Sequence, residues 1–430
     1  MTATRVASAP ALLLTFIAVH LFLALLNLSA PGLPLGDVTI VYARWAEQAY
    51  ASGVVVGVDM PWVYPLLAIV PILASVTFGL GHIAGAWLSL VMVLNILALG
   101  FLTRWGRSRS GVAAGWWWTA FLLVLGPIAL ARIDAITVAG AIIGITLLRS
   151  HPQTAGIVLA CATWVKVWPA ALVLAAIIAV RGRWKVAAAA AATSATVVVF
   201  ALLAGAGWNV FSFITEQTGR GIQIESPIAG IWLWQIIAGV PDTSIYYDNT
   251  ILTFQITGAG VEFAAAVVTP LLALSVAGIA LLGVRAVRAG ADPSSVVPML
   301  SLALVSALIV VNKVGSPQFI SWLAVPIVLG LLTSGRDGAP SFRVPAALTL
   351  VIAALTHTVY PYLYYLLLAS HPAMVTVLSI RNIALIVLLV WAVVCLVRLA
   401  SRAATRPSLA VNNPKPDTSS SDSPRAKEST

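Results

Sequence analysis

Runs of about 20 apolar residues, almost free of charge, recur along nearly the whole chain. A helix of that length crosses about 30 Å of hydrocarbon, so each run reads as a membrane span. Composition agrees. Of 430 residues, 60% are hydrophobic and only 9% charged, where a soluble domain carries about 25% charged residues. So little charge does not cover a water-facing surface. This excludes a soluble enzyme, a DNA-binding domain and a disordered scaffold, and predicts an all-α polytopic membrane protein. Twelve spans are expected, near 10–30, 83–102, 112–130, 134–149, 153–166, 168–180, 186–204, 263–283, 296–312, 318–333, 345–361 and 374–398. The first is too long for a signal-peptide core and lacks a clean cleavage site.

Basic residues orient the map. With both termini in the cytoplasm, the cytoplasmic segments hold 18 of the 24 Lys and Arg, as the positive-inside rule requires. The net charge of +10 therefore points to membrane topology, and no nucleic-acid partner is implied. Two long loops, about 31–82 and 205–262, fall outside. Both are rich in Trp, Tyr and Ile, so disorder is not expected of them. The apolar segment Trp62–Phe78 would invert every later loop if it crossed, so it reads as an interfacial helix on the outer face. Residues 1–406 form one membrane domain, and the polar stretch 407–430 a disordered cytoplasmic tail. Cys161 and Cys395 both lie in apolar runs and imply neither a disulfide nor a metal site.

Six basic residues break the rule: Arg44, Arg132, Lys166, Arg220, Lys313 and Arg381. A cation held at the outer membrane face has an anion to hold, either a protein carboxylate or a lipid phosphate. Arg132 has Asp134 two residues on and reads equally as half of a structural pair. Lys166 sits between two short half-helices, the broken-helix pattern of membrane binding sites; snorkelling is its other reading. Lys313 precedes a Gly-Ser-Pro turn whose N–H groups suit a phosphate.

Nine of the 14 acids also fall outside, which marks a polar working face. Asp37, just after the first span, is placed to take a proton from a sugar hydroxyl, or to cap a helix over 38–50. Asp59 and Asp134 are the further carboxylate candidates, Asp59 also reading as a turn residue. His357, followed by four tyrosines, has no second metal-type ligand at helical spacing, so no metal is assigned. The tyrosines form an aromatic belt or line a sugar or polyprenyl site. No Walker, Rossmann, CxxC, HExxH or GxSxG pattern occurs, and the working face lies away from cytosolic nucleotide sugars.

Four stretches, in order, resemble glycosyltransferase family 87 of the integral-membrane GT-C superfamily. They are Asp37–Tyr42 with Trp45 and Val63-Tyr64-Pro65; Arg132-Ile-Asp134 with Lys166-Val-Trp-Pro169; Arg220–Ser226; and Asn312–Trp322. The family often has a second Pro where this chain has Leu66. The resemblance implies a polyprenyl-phosphate sugar donor, most often mannose, used at the outer face, with no nucleotide and no cofactor. Characterised relatives include mannosyltransferases of glycolipid and lipoglycan assembly in actinobacteria. It makes Asp37 the expected base, and Arg132, Lys166, Arg220 and Lys313 candidates for the donor phosphate. Tyr64, Gln223, Glu225, Ser316, Gln318 and His357 are candidate substrate contacts. The partners implied are the lipid-linked donor, a glycolipid or glycan acceptor and membrane lipids, with the protein a monomer in the cell membrane. A flippase for a lipid-linked sugar shares the spans, broken helices and buried charges. It is disfavoured because no halves are related by sequence and the charges lie at one face.

Overall fold

A computed structural model describes residues 8–334 and 340–405; the expected tail lies outside the described residues. The helices run in chain order as α1 (Ala9–Ser29), α2 (Ala43–Ser52), α3 (Ile69–Ser75), α4 (Ile83–Thr103), α5 (Arg109–Leu125) and α6 (Ile133–Leu147). Then come α7 (Pro152–Val165), α8 (Ala170–Ala179), α9 (Arg183–Leu203), α10 (Ser212–Thr218), α11 (Gly230–Ile237) and α12 (Val261–Arg288). The last are α13 (Pro293–Val310), α14 (Ala324–Thr333), α15 (Arg343–Val359), α16 (Tyr364–Leu368) and α17 (Pro372–Thr405). The chain is a multi-pass, all-α membrane protein.

Among the described residues, seven helices are long and apolar enough to cross a membrane: α1, α4, α5, α9, α12, α13 and α17, some with their flanking turns. Five further apolar helices, at 133–147, 152–165, 170–179, 317–333 and 343–359, fall on the other expected spans but are shorter. A helix of 15 residues rises about 22 Å, less than the hydrocarbon thickness. Backbone freed where such helices stop must be satisfied by protein groups, and most of these stops carry the polar residues described below. The segment expected to lie at the interface forms only the short helix Leu66–Ser75, packed on α4 and α7.

The long helices are apolar all round, so burial is decided by position rather than by face. α13 is the centre. It packs against α8, α12, α14 and α17, and even its Ser295, Ser301 and Ser306 are buried. α9 and α12 lie at the rim, with most of their surface exposed, as a lipid-facing helix must be.

Consecutive spans alternate in direction. The helix ends and turns at 104–109, 149–151, 181–185 and 285–288 gather exposed basic residues at one end. The segments around 30–82, 126–132, 166–169, 204–260, 311–316 and 360–371 meet at the other. The second long loop also contains a hairpin that the sequence reading did not anticipate. Strands β1 (Ser244–Asp248) and β2 (Thr253–Thr257) pair antiparallel, with Tyr246 opposite Gln255. Asp248 Oδ1 accepts the Thr250 N–H at 2.8 Å and closes the turn. Backbone bonds from Ile256 to Ile222 and from Ile224 to Phe254 add residues 222–224 as a third edge.

Candidate active site

Asp37 begins a π-helical turn, Asp37–Tyr42, that runs directly into α2. It is therefore not a helix N-cap. Its Oδ2 lies 2.9 Å from Arg132 Nε, and its side chain remains 36% exposed against 9% for the arginine. Arg132 is extended (φ −141°) just ahead of α6. Its remaining donors reach the Pro34 carbonyl and, at 3.0 Å, Tyr360 Oη. Burial alone would lower its pKa; the Asp37 carboxylate, with Tyr360 and Tyr42, outweighs that and raises it. Tyr42 Oη accepts the Ile133 N–H at 3.2 Å, one of the orphan donors at the α6 N-terminus. Three parts of the chain, 34–42, 132–133 and 360, are thereby locked around one half-exposed carboxylate.

Asp134 occupies the first turn of α6, where a negative charge is favoured, and is fully buried. Its two oxygens have different owners: Lys166 Nζ at 2.9 Å and Trp322 Nε1 at 2.6 Å. The Arg132–Asp134 pair considered from sequence is not formed; each pairs elsewhere. Residues two apart across a helix start point in different directions. Lys166 follows the last residue of α7, with its ammonium over the rings of Tyr64 and Phe319, at 5.3 and 5.2 Å from the centroids. Burial would lower its pKa, but Asp134 and Tyr64 hold it raised. Trp168 stacks on Trp322 at 5.4 Å and donates to Thr137 Oγ1. Trp322 lies within a sequence stretch already singled out, but only the structure reveals its bond to Asp134.

Arg220 lies within electrostatic reach of Tyr64, the ring beneath the Lys166 ammonium. Arg220 and Lys313 both line a cavity of about 900 Å³ bounded by Tyr246 of the hairpin and by Phe263, Ala265 and Ala266 on the first turns of α12. Arg220 Nε is buried with no hydrogen-bond partner among the described residues. Burial, and then the charge of Arg220, pull the Lys313 amine below its usual range. Glu262 also lines the cavity; two cations against one carboxylate leave a net positive charge that suits an anion.

The loop carrying Arg220 is tied to the turn after Lys313. Gln223 N–H donates to the Lys313 carbonyl at 2.9 Å, and Gln223 Oε1 accepts from Gly315 N–H at 3.0 Å and from Ser316 Oγ at 3.4 Å. A Cβ at Gly315 would stand 2.2 Å from Ser226 N, so only glycine fits. The Gly315 N–H, expected to face a phosphate, is taken by Gln223, and that of Val314 goes to Asn312 Oδ1. The lysine side chain, rather than these two amides, lines the cavity. Glu225 is buried, with Oε1 lacking a partner among the described residues. Burial raises its pKa to about 7 against the opposing pull of Arg381 and Arg132. Arg381, inside α17, donates to the Glu225 carbonyl.

The other candidates are placed apart from these contacts. Asp59 is exposed, and its Oδ2 accepts the Val55 N–H at 2.7 Å, which closes a turn. His357 is half-buried; its Nδ1 bonds the Val124 carbonyl at 3.1 Å. Its ring packs on Gly126, whose φ of +77° and missing Cβ both demand glycine. Gln318 is half-buried in the 3-10 turn Pro317–Leu323. Arg44 is exposed on α2.

Residues 62–235 match the model of glycosyltransferase family 87. The resemblance carried by the motifs is thereby borne out over that segment, which holds Tyr64, Arg132, Asp134, Lys166, Arg220, Gln223 and Glu225. No curated protein and no solved structure is detectably similar to the chain. A multi-pass membrane glycosyltransferase is what the match and the helices together support.

Proposed function

We propose that the protein transfers a sugar, mannose in the simplest case, from a polyprenyl-phosphate carrier to a hydroxyl of a glycolipid or glycan. The transfer takes place at the outer face of the cell membrane, with both termini in the cytoplasm. Sidedness is supported by the basic turns at the opposite end.

The observation that carries the reading is the composition of one cavity. Two cations, Arg220 and Lys313, outnumber the one carboxylate there, Glu262, and share the cavity with the first turns of α12, a helix with few buried positions. A phosphate held at the cations has a direct apolar exit for an attached chain along Phe263 and Ala266. A water-soluble sugar phosphate has no use for that exit; a lipid-linked one requires it.

Asp37 is the base. It is the partly exposed carboxylate of the two buried-end pairs, whereas Asp134 has both oxygens occupied. Asp37 takes the proton of the acceptor hydroxyl, and that oxygen bonds to the anomeric carbon from the face opposite the phosphate. The carbon–oxygen bond to phosphate breaks, and its electron pair leaves on the polyprenyl phosphate. Arg220 and Lys313 offset the charge that grows there. The proton on Asp37 returns to water. One base and a cationic clamp suffice, so the product has inverted configuration and no covalent enzyme intermediate forms.

Incubating purified protein with radiolabelled polyprenyl-phosphate mannose and a membrane lipid extract tests this. A labelled glycolipid of inverted anomeric configuration is expected. Label that crosses the bilayer of proteoliposomes with no product would identify a flippase instead.

A further inference from the structure

At the end opposite the candidate site, between α5, α14 and α15, lies a second cavity of about 450 Å³. Positions 110, 113, 114 and 117 of α5 face it, as do 343, 346, 347 and 350 of α15. Both sets follow the i, i+3, i+4, i+7 spacing, one stripe on each helix. The two middle positions of each stripe are alanines, whose short side chains leave a slot between the helices. Seven residues of helix make it about 10 Å long.

The slot is polar at one end only. Ser110 and Arg343 lie in the first turns of α5 and α15, where unpaired backbone N–H groups add partial positive charge. Arg109 is exposed beside them. The deep end is Trp117 and Leu350, and the Trp117 indole N–H is already bonded to the Ala346 carbonyl at 3.2 Å. What fits is one aliphatic chain under an anionic head. Exposed Arg104 and Arg107 lie in the turn that leads into α5, so an anionic head complements this end and a zwitterionic one does not.

We infer that this slot seats an acyl chain of an anionic phospholipid, with its phosphate at Arg343 and Ser110. The glycosyl transfer plays no part in the inference, and the test does not read it.

Full-length protein in detergent micelles is titrated with phosphatidylglycerol or phosphatidylcholine of the same acyl chains, and bound lipid is counted by native mass spectrometry. A single arginine is worth about 1 kcal/mol toward an anionic lipid, so wild type binds phosphatidylglycerol roughly fivefold tighter. Arg343→Gln and the slot-filling Ala113→Phe lose the preference; Lys185→Gln, an exposed charge at the same end, keeps it. Unchanged melting temperature without added lipid shows that Ala113→Phe folds, and Ala347→Leu is the milder filler. Equal affinity of wild type for the two lipids overturns the inference. So does a preference that survives filling, an equal loss in Lys185→Gln, or displacement of phosphatidylglycerol by polyprenyl phosphate at lower concentration.

Discussion

Lys166 Nζ lies 2.9 Å from Asp134 Oδ2 and ties the end of α7 to the start of α6. The aspartate is fully buried and the lysine side chain is 15% exposed. Removing one partner of such a pair strands the other charge and costs about 3–5 kcal/mol. Asp134→Asn and Lys166→Met each lower stability by that order, and the double variant recovers part of the loss. Denaturant unfolding of the four proteins measures it. A Lys166→Met protein of normal stability but weakened donor binding would show that the lysine holds phosphate instead.

In the proposed mechanism Arg132 positions Asp37, through its contacts to that carboxylate, to Pro34 and to Tyr360. Arg132→Gln lowers kcat and leaves the donor KM near wild type. Arg132→Lys does not rescue it, because one ammonium cannot replace a fork that reaches Asp37, Pro34 and Tyr360 together. Steady-state kinetics in both substrates separates the two constants.

In the proposed reaction Arg220 and Lys313 hold the donor phosphate. A hydrogen bond to a charged group contributes about 1.5–3 kcal/mol, so Arg220→Gln or Lys313→Gln raises the donor KM by roughly 10–100-fold. The acceptor KM stays within a few-fold. Competition by unlabelled polyprenyl phosphate weakens in parallel, which a filter-binding assay reads directly.

Glu225 makes stability depend on pH. Burial raises its folded pKa to about 7, from a usual 4.5, with Arg381 and Arg132 opposing. The folded state then holds the proton that the unfolded state has released. Stability is highest below pH 4.5, falls as pH rises toward 7, and levels off above. Glu225→Gln removes that segment of the slope and is more stable than wild type at pH 8. Melting curves across pH 4–8 test the sign.

The spans were legible because an apolar run of fixed length has one meaning in a membrane. So was the clustering of Arg132, Lys166, Arg220 and Lys313 at one end, since charge there is rare enough to be counted. Their pairing was not legible. Arg132 and Asp134 are neighbours in sequence, yet a helix begins between them and turns them to different partners. Nor did the Gly-Ser-Pro turn reveal that Gln223 would take its Gly315 amide. Tyr360 was lost among an aromatic belt, and Tyr42, though inside a stretch already singled out, gave no sign of its bond to the Ile133 N–H. The hairpin had a signal, Ser-Ile-Tyr-Tyr-Asp and Thr-Phe-Gln-Ile-Thr around an Asp-Asn turn, which a search for strands in the outer loops would have found.

Asp37 is the group on which the proposed transfer most depends. Asp37→Asn keeps the shape of the side chain and its place beside Arg132 but cannot take a proton. Single-turnover transfer from polyprenyl-phosphate mannose, measured with donor binding and melting temperature near wild type, is predicted to slow by about 10²–10⁴-fold. Turnover within a few-fold of wild type would contradict the assignment of the base and the mechanism built on it.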